Sequence, residues 1–141
     1  MKNKIRPLAI CVFRNEDKIL VFEGYDPSKK QTFYRPLGGG IEFGERSDET
    51  VHREIREELG EEVTDLRYLG TLENIFIYNE TPGHEIVQVY DGRLVNPRVY
   101  EQAVMSGTEA DGGHFKALWK RLDEFNPQTP LYPDGLVEML E

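Results

Sequence analysis

Residues 53 to 60 read Arg-Glu-Ile-Arg-Glu-Glu-Leu-Gly, which puts three carboxylates, Glu54, Glu57 and Glu58, within five positions. Glu58 is four residues from Glu54 and Glu57 is three, so on a helix all three share one edge. Carboxylates about 6 Å apart repel by roughly 0.7 kcal/mol in water and nearer 3 kcal/mol at an effective dielectric of about 20. The group needs neutralising. Arg53, four residues from both Glu49 and Glu57, can do part of this, as can Arg56. A hard divalent cation does it better, because Mg²⁺ prefers oxygen ligands, accepts a few carboxylates and keeps its other positions for water and substrate phosphate. Taken alone, a Glu-rich helix reads as a solvated face with intrahelical pairs.

The elements that must hold these groups are legible nearby. From Ser47 to Leu59 the apolar residues Val51, Ile55 and Leu59 recur every four positions, the spacing of one buried helical stripe. Ser47 is a good N-cap and Gly60 a good C-terminal stop. Upstream, Leu37 is followed by Gly38, Gly39 and Gly40, where the backbone can take positive φ or approach a ligand closely. Ala9 to Arg14 and Lys18 to Glu23 read as a hairpin around Asn15, Glu16 and Asp17, and Thr32 to Arg35 as a short extended piece. Leu66 to Tyr78, Glu85 to Leu94 and Phe115 to Trp119 read as strands, Asp134 to Leu140 as a closing helix, and Asn96 to Gly113 as a long irregular loop. Strands, one central helix, more strands and a terminal helix predict a mixed sheet covered by helices.

Gly39, five residues, Glu45, seven residues and then Arg53-Glu54-Ile55-Arg56-Glu57-Glu58-Leu59-Gly60 resembles the signature of the Nudix hydrolases. Eight of its nine fixed positions fit; Glu61 stands where the family has an aliphatic residue, and Leu37 where many relatives have proline. The box covers 23 of 141 residues. The resemblance implies an α+β fold of Nudix type, an α/β/α sandwich with a mixed central sheet, in a single domain over residues 1–141. It also implies hydrolysis of a pyrophosphate bond in a nucleoside diphosphate derivative by metal-activated water. Carried over position by position, Glu54, Glu57 and Glu58 are the implied Mg²⁺ or Mn²⁺ ligands. Glu45 and Arg53 become an ion pair holding the glycine loop against the helix, and Gly38, Gly39 and Gly40 shape that loop against the substrate. The alternative is a Nudix module that senses a nucleotide without cleaving it, whose usual sign, a missing box glutamate, is absent.

Outside the box, Glu109, with Asp111 in the same predicted loop, is a candidate general base; a solvated loop carboxylate is the alternative. Glu85 opens a strand and either faces the cleft or is an edge-strand charge that discourages aggregation. Arg35, two residues before the glycines, can meet a substrate phosphate with its fork of donors. Tyr34, Phe76 and Tyr78 can stack on a base, although aromatics in strands usually belong to the core.

Composition bounds the partners. The 141 residues carry 26 acidic and 17 basic side chains, a net charge of -9, which argues against nucleic-acid backbone or an anionic membrane as a bulk partner. The charge is uneven: residues 1–41 hold eight basic and four acidic groups, whereas residues 42–62 hold three and nine. The longest apolar run, Leu8 to Phe13, is too short for a membrane span, and with the charged start Met1 to Lys4 it does not build a signal peptide. The chain therefore reads as cytoplasmic and acting on a small nucleotide. Its length favours a compact substrate or a homodimer that borrows loops. The single cysteine, Cys11, excludes an internal disulfide and reads as a buried thiol.

Overall fold

The computed structural model describes residues 3–109 and 111–141; Met1 and Lys2, part of the charged start considered above, and Ala110 of the predicted loop lie outside the described residues. Strand β1 (Ile5–Asn15) and β2 (Lys18–Asp26) are joined by a two-residue turn with Glu16 in the left-handed region. They pair only through Arg14 with Ile19 and Asn15 with Lys18, then diverge. Their freed edges are taken by β4 (Leu37–Gly40) on β1 and β3 (Gln31–Arg35) on β2. The remaining strands are β5 (Val63–Tyr78), β6 (Thr81–Leu94), β7 (Val104–Thr108) and β8 (His114–Arg121), and the sheet runs β5-β6-β1-β2-β8-β7. Among the named strands of the described residues, β1 with β6 is the one parallel pair, so the sheet is mixed as expected.

The apolar run of β1 is continuous because both faces are covered. Ala9, Cys11 and Phe13 pack with Val51 and Ile55 of α1 (Ser47–Leu59). Leu8, Ile10 and Val12 pack on the other face with Leu136 and Leu140 of α2 (Leu136–Leu140). The fold is thus a sandwich with a helix on each side. Val51 and Ile55 are fully buried, each contributing about 1.5–3 kcal/mol by the apolar area it removes from water. Burial, followed by the charge of Asp91, holds the Cys11 thiol pKa well above its usual value.

Three expectations change. The segment from Asn96 to Gly113 is not an irregular loop: a 3₁₀ turn spans Pro97–Glu101, and β7 pairs in register with β8. Its alternation was hidden because one of its two inward residues is glycine: the ring of Phe115, the cross-strand partner, fills the place of a Gly107 side chain. The three glycines form a strand, antiparallel to β1 with Ala9 opposite Gly39. The N-cap of α1 is Arg46, whose backbone N–H is accepted by the Glu49 carboxylate at 2.7 Å, while the Ser47 hydroxyl turns to the hydroxyl of Tyr90. Glu49 is therefore not the partner of Arg53. At the other end Gly60, at φ 69°, closes the helix as expected. No helix among the described residues is long and apolar enough to cross a membrane.

Candidate active site

Helix α1 lies against β4 so closely that glycine is required. A side chain on Gly38 would strike the carbonyl oxygen of Ala9 in β1, and one on Gly39 would occupy the space of the Glu54 carboxylate. With the backbone this low, Arg53 reaches the Gly40 carbonyl through Nη2 at 2.9 Å. Its Nε and Nη2 also donate to the two oxygens of Glu45, at 2.7 and 3.0 Å. Nη1 donates to Glu54 at 2.8 Å and to Glu57 at 3.3 Å. One guanidinium therefore ties together the strand, the loop before the helix and two of the three box carboxylates.

Glu45 is held further by the Thr50 hydroxyl at 2.7 Å and the Glu42 backbone N–H at 3.1 Å. The Arg53 fork, then Thr50, lowers its carboxyl pKa to about 2. Glu45 in turn raises the Arg53 pKa.

Glu54, Glu57, Glu58 and Glu109 line one cavity of about 470 Å³, together with Glu42, Arg53 and Thr108. Neither Glu42 nor Thr108 carries a signal in the sequence, since Glu42 occupies a free position of the box. Glu58 is the exceptional member. Its Oε1 is buried with no hydrogen-bond partner among the described residues. Burial first, then the charges of Glu54, Glu57 and Glu109, pushes its pKa up to about 8, although the Gly38 backbone N–H pulls the other way. Burial also raises Glu54, against the pull of Arg53. Arg56, expected to help neutralise the group, pairs instead with Glu62 at 2.9 Å.

Five carboxylates around a single guanidinium, one of them with an orphaned buried oxygen, fit a hard divalent cation and its preference for oxygen. Among the described residues no three acidic, histidine or cysteine side chains are already gathered as a cage. The reason is on hand: Arg53 draws Glu54 and Glu57 toward itself.

Arg35 and Glu85 lie beyond this cavity. Arg35 Nη2 donates to Glu85 Oε1 at 3.0 Å, and Arg6 Nη1 lies 3.5 Å from Glu85 Oε2. Glu85 is 2% exposed and sits on β6, an inner strand between β5 and β1, which rules out the edge-strand role. Both residues line a second cavity of about 260 Å³ with Phe76 and Tyr78, whereas Tyr34 is buried against Phe125. Glu61, the departure from the box pattern, accepts from Asn96 Nδ2 at 3.4 Å beside a polar recess, so no apolar contact is demanded there.

The fold and the acidic helix define a Nudix-type domain. The family description "NUDIX domain" matches residues 4–139, and the chain belongs to the Nudix hydrolase family. Among curated proteins it is 37% identical over 68 residues to the NAD-capped RNA hydrolase NudC of Vibrio atlanticus (strain LGP32), covering 48% of this chain and 24% of that protein. The protein of the same name from Mannheimia succiniciproducens is 32% identical over 101 residues, covering 72% of this chain and 33% of that one. The chain thus spans about a quarter to a third of the length of these relatives. Among solved structures, the NUDIX hydrolase from Nitrosomonas europaea superposes with a TM-score of 0.65 at 19% identity, covering 97% of this chain and 86% of that one. These structural likenesses show the fold.

Proposed function

We propose that the protein hydrolyses a pyrophosphate bond in a nucleotide or nucleoside diphosphate derivative, such as ADP-ribose, a nucleotide sugar, a dinucleoside polyphosphate or a modified nucleoside triphosphate. The observation that carries this reading is the buried, unpartnered Oε1 of Glu58 in a cavity shared with four other carboxylates. Glu54, Glu57 and Glu58 would hold Mg²⁺ or Mn²⁺. When bound, such an ion neutralises phosphate oxygens and activates water for attack on phosphorus.

The chain's own residues supply the rest. Arg53, anchored by Glu45, keeps the carboxylates and the Gly40 carbonyl in one frame, and Gly38 and Gly40 let the pyrophosphate approach the backbone. Glu109, which lines the same cavity, takes the proton of the attacking water. Arg35, whose side chain among the described residues donates to Glu85 alone, turns its remaining donors to the outer phosphate. A sensing module without catalysis would have no use for this complete set of acids.

The test is to incubate the purified protein with a panel of pyrophosphate-linked nucleotides, with and without Mg²⁺, and follow release of nucleoside monophosphate. NAD and an NAD-capped RNA belong in the panel, because the curated relatives are named for that substrate. Mg²⁺-dependent cleavage of at least one member is expected. If none is cleaved while Mg²⁺ with a nucleotide raises the melting temperature, the sensing reading replaces this one.

A further inference from the structure

The second cavity has the opposite character to the first. It lies between β3, the far end of β5 and the segment around Tyr132, and five aromatic residues, Phe22, Phe33, Phe76, Tyr78 and Tyr132, line it. Two of the rings are laid over glycine. Phe33 is the cross-strand partner of Gly24 and Phe76 of Gly83, and a side chain on either glycine would run into the ring tip. Phe33 also meets Tyr78 edge to face, with ring centres 5.9 Å apart. At about 260 Å³ the space is just below the usual range of roughly 300–1,000 Å³ for small-ligand pockets, so it suits one ring system more than a dinucleotide.

Its polar lining is rich in unused donors. Asn74 is 2% exposed; its Oδ1 accepts the Asp134 backbone N–H at 3.2 Å, and its Nδ2 has no acceptor among the described residues. Arg35 spends a single Nη2 donor on Glu85, and the Arg6 guanidinium, 3.5 Å from Glu85, makes no hydrogen bond among the described residues. The carboxylates in the lining are committed: Glu85 faces the two arginines, and Asp26 Oδ1 accepts the backbone N–H groups of Ser28, Lys29 and Asn79. Around Asn74 and the two arginines the lining welcomes acceptors and opposes donors, since an unpaired buried donor left facing another is penalised.

The position is as informative as the chemistry. Arg35 precedes Pro36 and β4, the strand on which the acidic site is built, and Arg6 Nη2 comes within 3.9 Å of where a Gly40 side chain would start. Aromatic cavity, arginines and acidic cavity therefore follow in the order of a base, its phosphates and the bond to be cut.

We propose that this cavity is a subsite for an aromatic base that presents a keto edge, the part of the substrate remote from the cleaved bond. As a location for the substrate's base this rests on the proposed hydrolase function, but binding to the cavity does not. Phe33, Phe76 and Tyr78 stack on the ring. Asn74 Nδ2 meets the keto oxygen, where an amino group would set donor against donor, and the arginines beside it face the phosphates.

The experiment is metal-free calorimetric titration of the full chain with two matched pairs, inosine against adenosine 5′-monophosphate and uridine against cytidine 5′-monophosphate. Within each pair the bases differ in keto against amino and, beside it, in a ring N–H against a bare ring nitrogen. At least tenfold tighter binding of the keto member in one pair is expected, with ribose 5-phosphate binding far more weakly. Phe76→Leu, which keeps apolar volume but removes the ring, should weaken the preferred nucleotide tenfold or more, and Asn74→Asp should abolish the keto preference. The proposal is overturned if ribose 5-phosphate binds as well as the nucleotides, if neither pair discriminates, if nothing binds at millimolar concentration, or if Phe76→Leu binds as wild type. Keto-selective binding without cleavage of any pyrophosphate would leave this subsite standing and remove the hydrolase reading. Cleavage whose KM is untouched by Phe76→Leu would do the reverse.

Discussion

The carboxylate of Glu54 fills the place where Gly39 would carry a side chain: a Cβ there would lie 2.6 Å from each of its oxygens. Strand and helix touch at this point, and the touching group is one of the candidate metal ligands. Gly39→Ala must therefore push Glu54 aside. A displacement of about 1 Å at a reacting site can cost on the order of 100-fold in rate. We expect a loss of that order in kcat, with the helix content seen by circular dichroism retained. Wild-type kcat in Gly39→Ala would show that the Glu54 position is immaterial.

Glu58→Gln separates function from stability. The wild-type carboxyl is buried with an unpartnered oxygen, so removing its charge should not lower the melting temperature of the metal-free protein. The same change should erase the rise in melting temperature that Mg²⁺ produces in wild type. Activity should fall by more than the roughly 10–100-fold typical of losing an outer partner of a metal ligand. Activity at the wild-type rate would remove Glu58 from the site.

The pair of Glu45 and Arg53 makes stability depend on acid. The folded carboxyl titrates at about 2, below the ordinary glutamate value of 4.5, so the folded state releases this proton more readily than the unfolded chain. The stabilisation is complete above about pH 4.5 and is lost as pH falls through about 2. Melting curves across that window should show a shallower acid loss in Glu45→Gln than in wild type, from a lower starting value at pH 7. Identical slopes in the two proteins would contradict the pairing.

On the proposed reading, Glu85 acts on substrate through Arg35 and Arg6. Glu85→Gln keeps the shape but releases the arginines from a charged partner, and a hydrogen bond to a charged group is worth about 1.5–3 kcal/mol, roughly 10- to 100-fold. For a substrate cleaved by the wild type, KM should rise within that range while kcat changes less. A fall in kcat at constant KM would instead place Glu85 in the chemistry.

Ile55 is fully buried beneath the acidic edge of the helix. Ile55→Ala should lower the unfolding free energy by about 2–5 kcal/mol, read by urea denaturation. A value near zero would mean that the helix is not anchored by this stripe.

Much of the acidic site was legible because its pattern is local. The spacing of Glu54, Glu57 and Glu58 sets their common edge through the helical repeat alone, and Val51 and Ile55 show which face must be buried. The distances from Gly39 to Glu45 and to Arg53 then bring strand, loop and helix into one frame. The strand from Val104 to Thr108 was not legible, since its inward glycine is filled by Phe115 from the next strand, a partner visible only once the register is known.

The sequence by itself determined the acidic helix, its buried stripe and the box that marks the family, because each depends on residues within one element or a short turn of chain. The tertiary structure decided what the distant residues do. It brought Glu109 into the cavity that Glu58 lines, closed Glu85 onto Arg35 across 50 positions and set Phe33 and Phe76 around one cavity. Such pairings follow from strand order and register, which join segments far apart in the chain and leave no periodic trace in either segment alone.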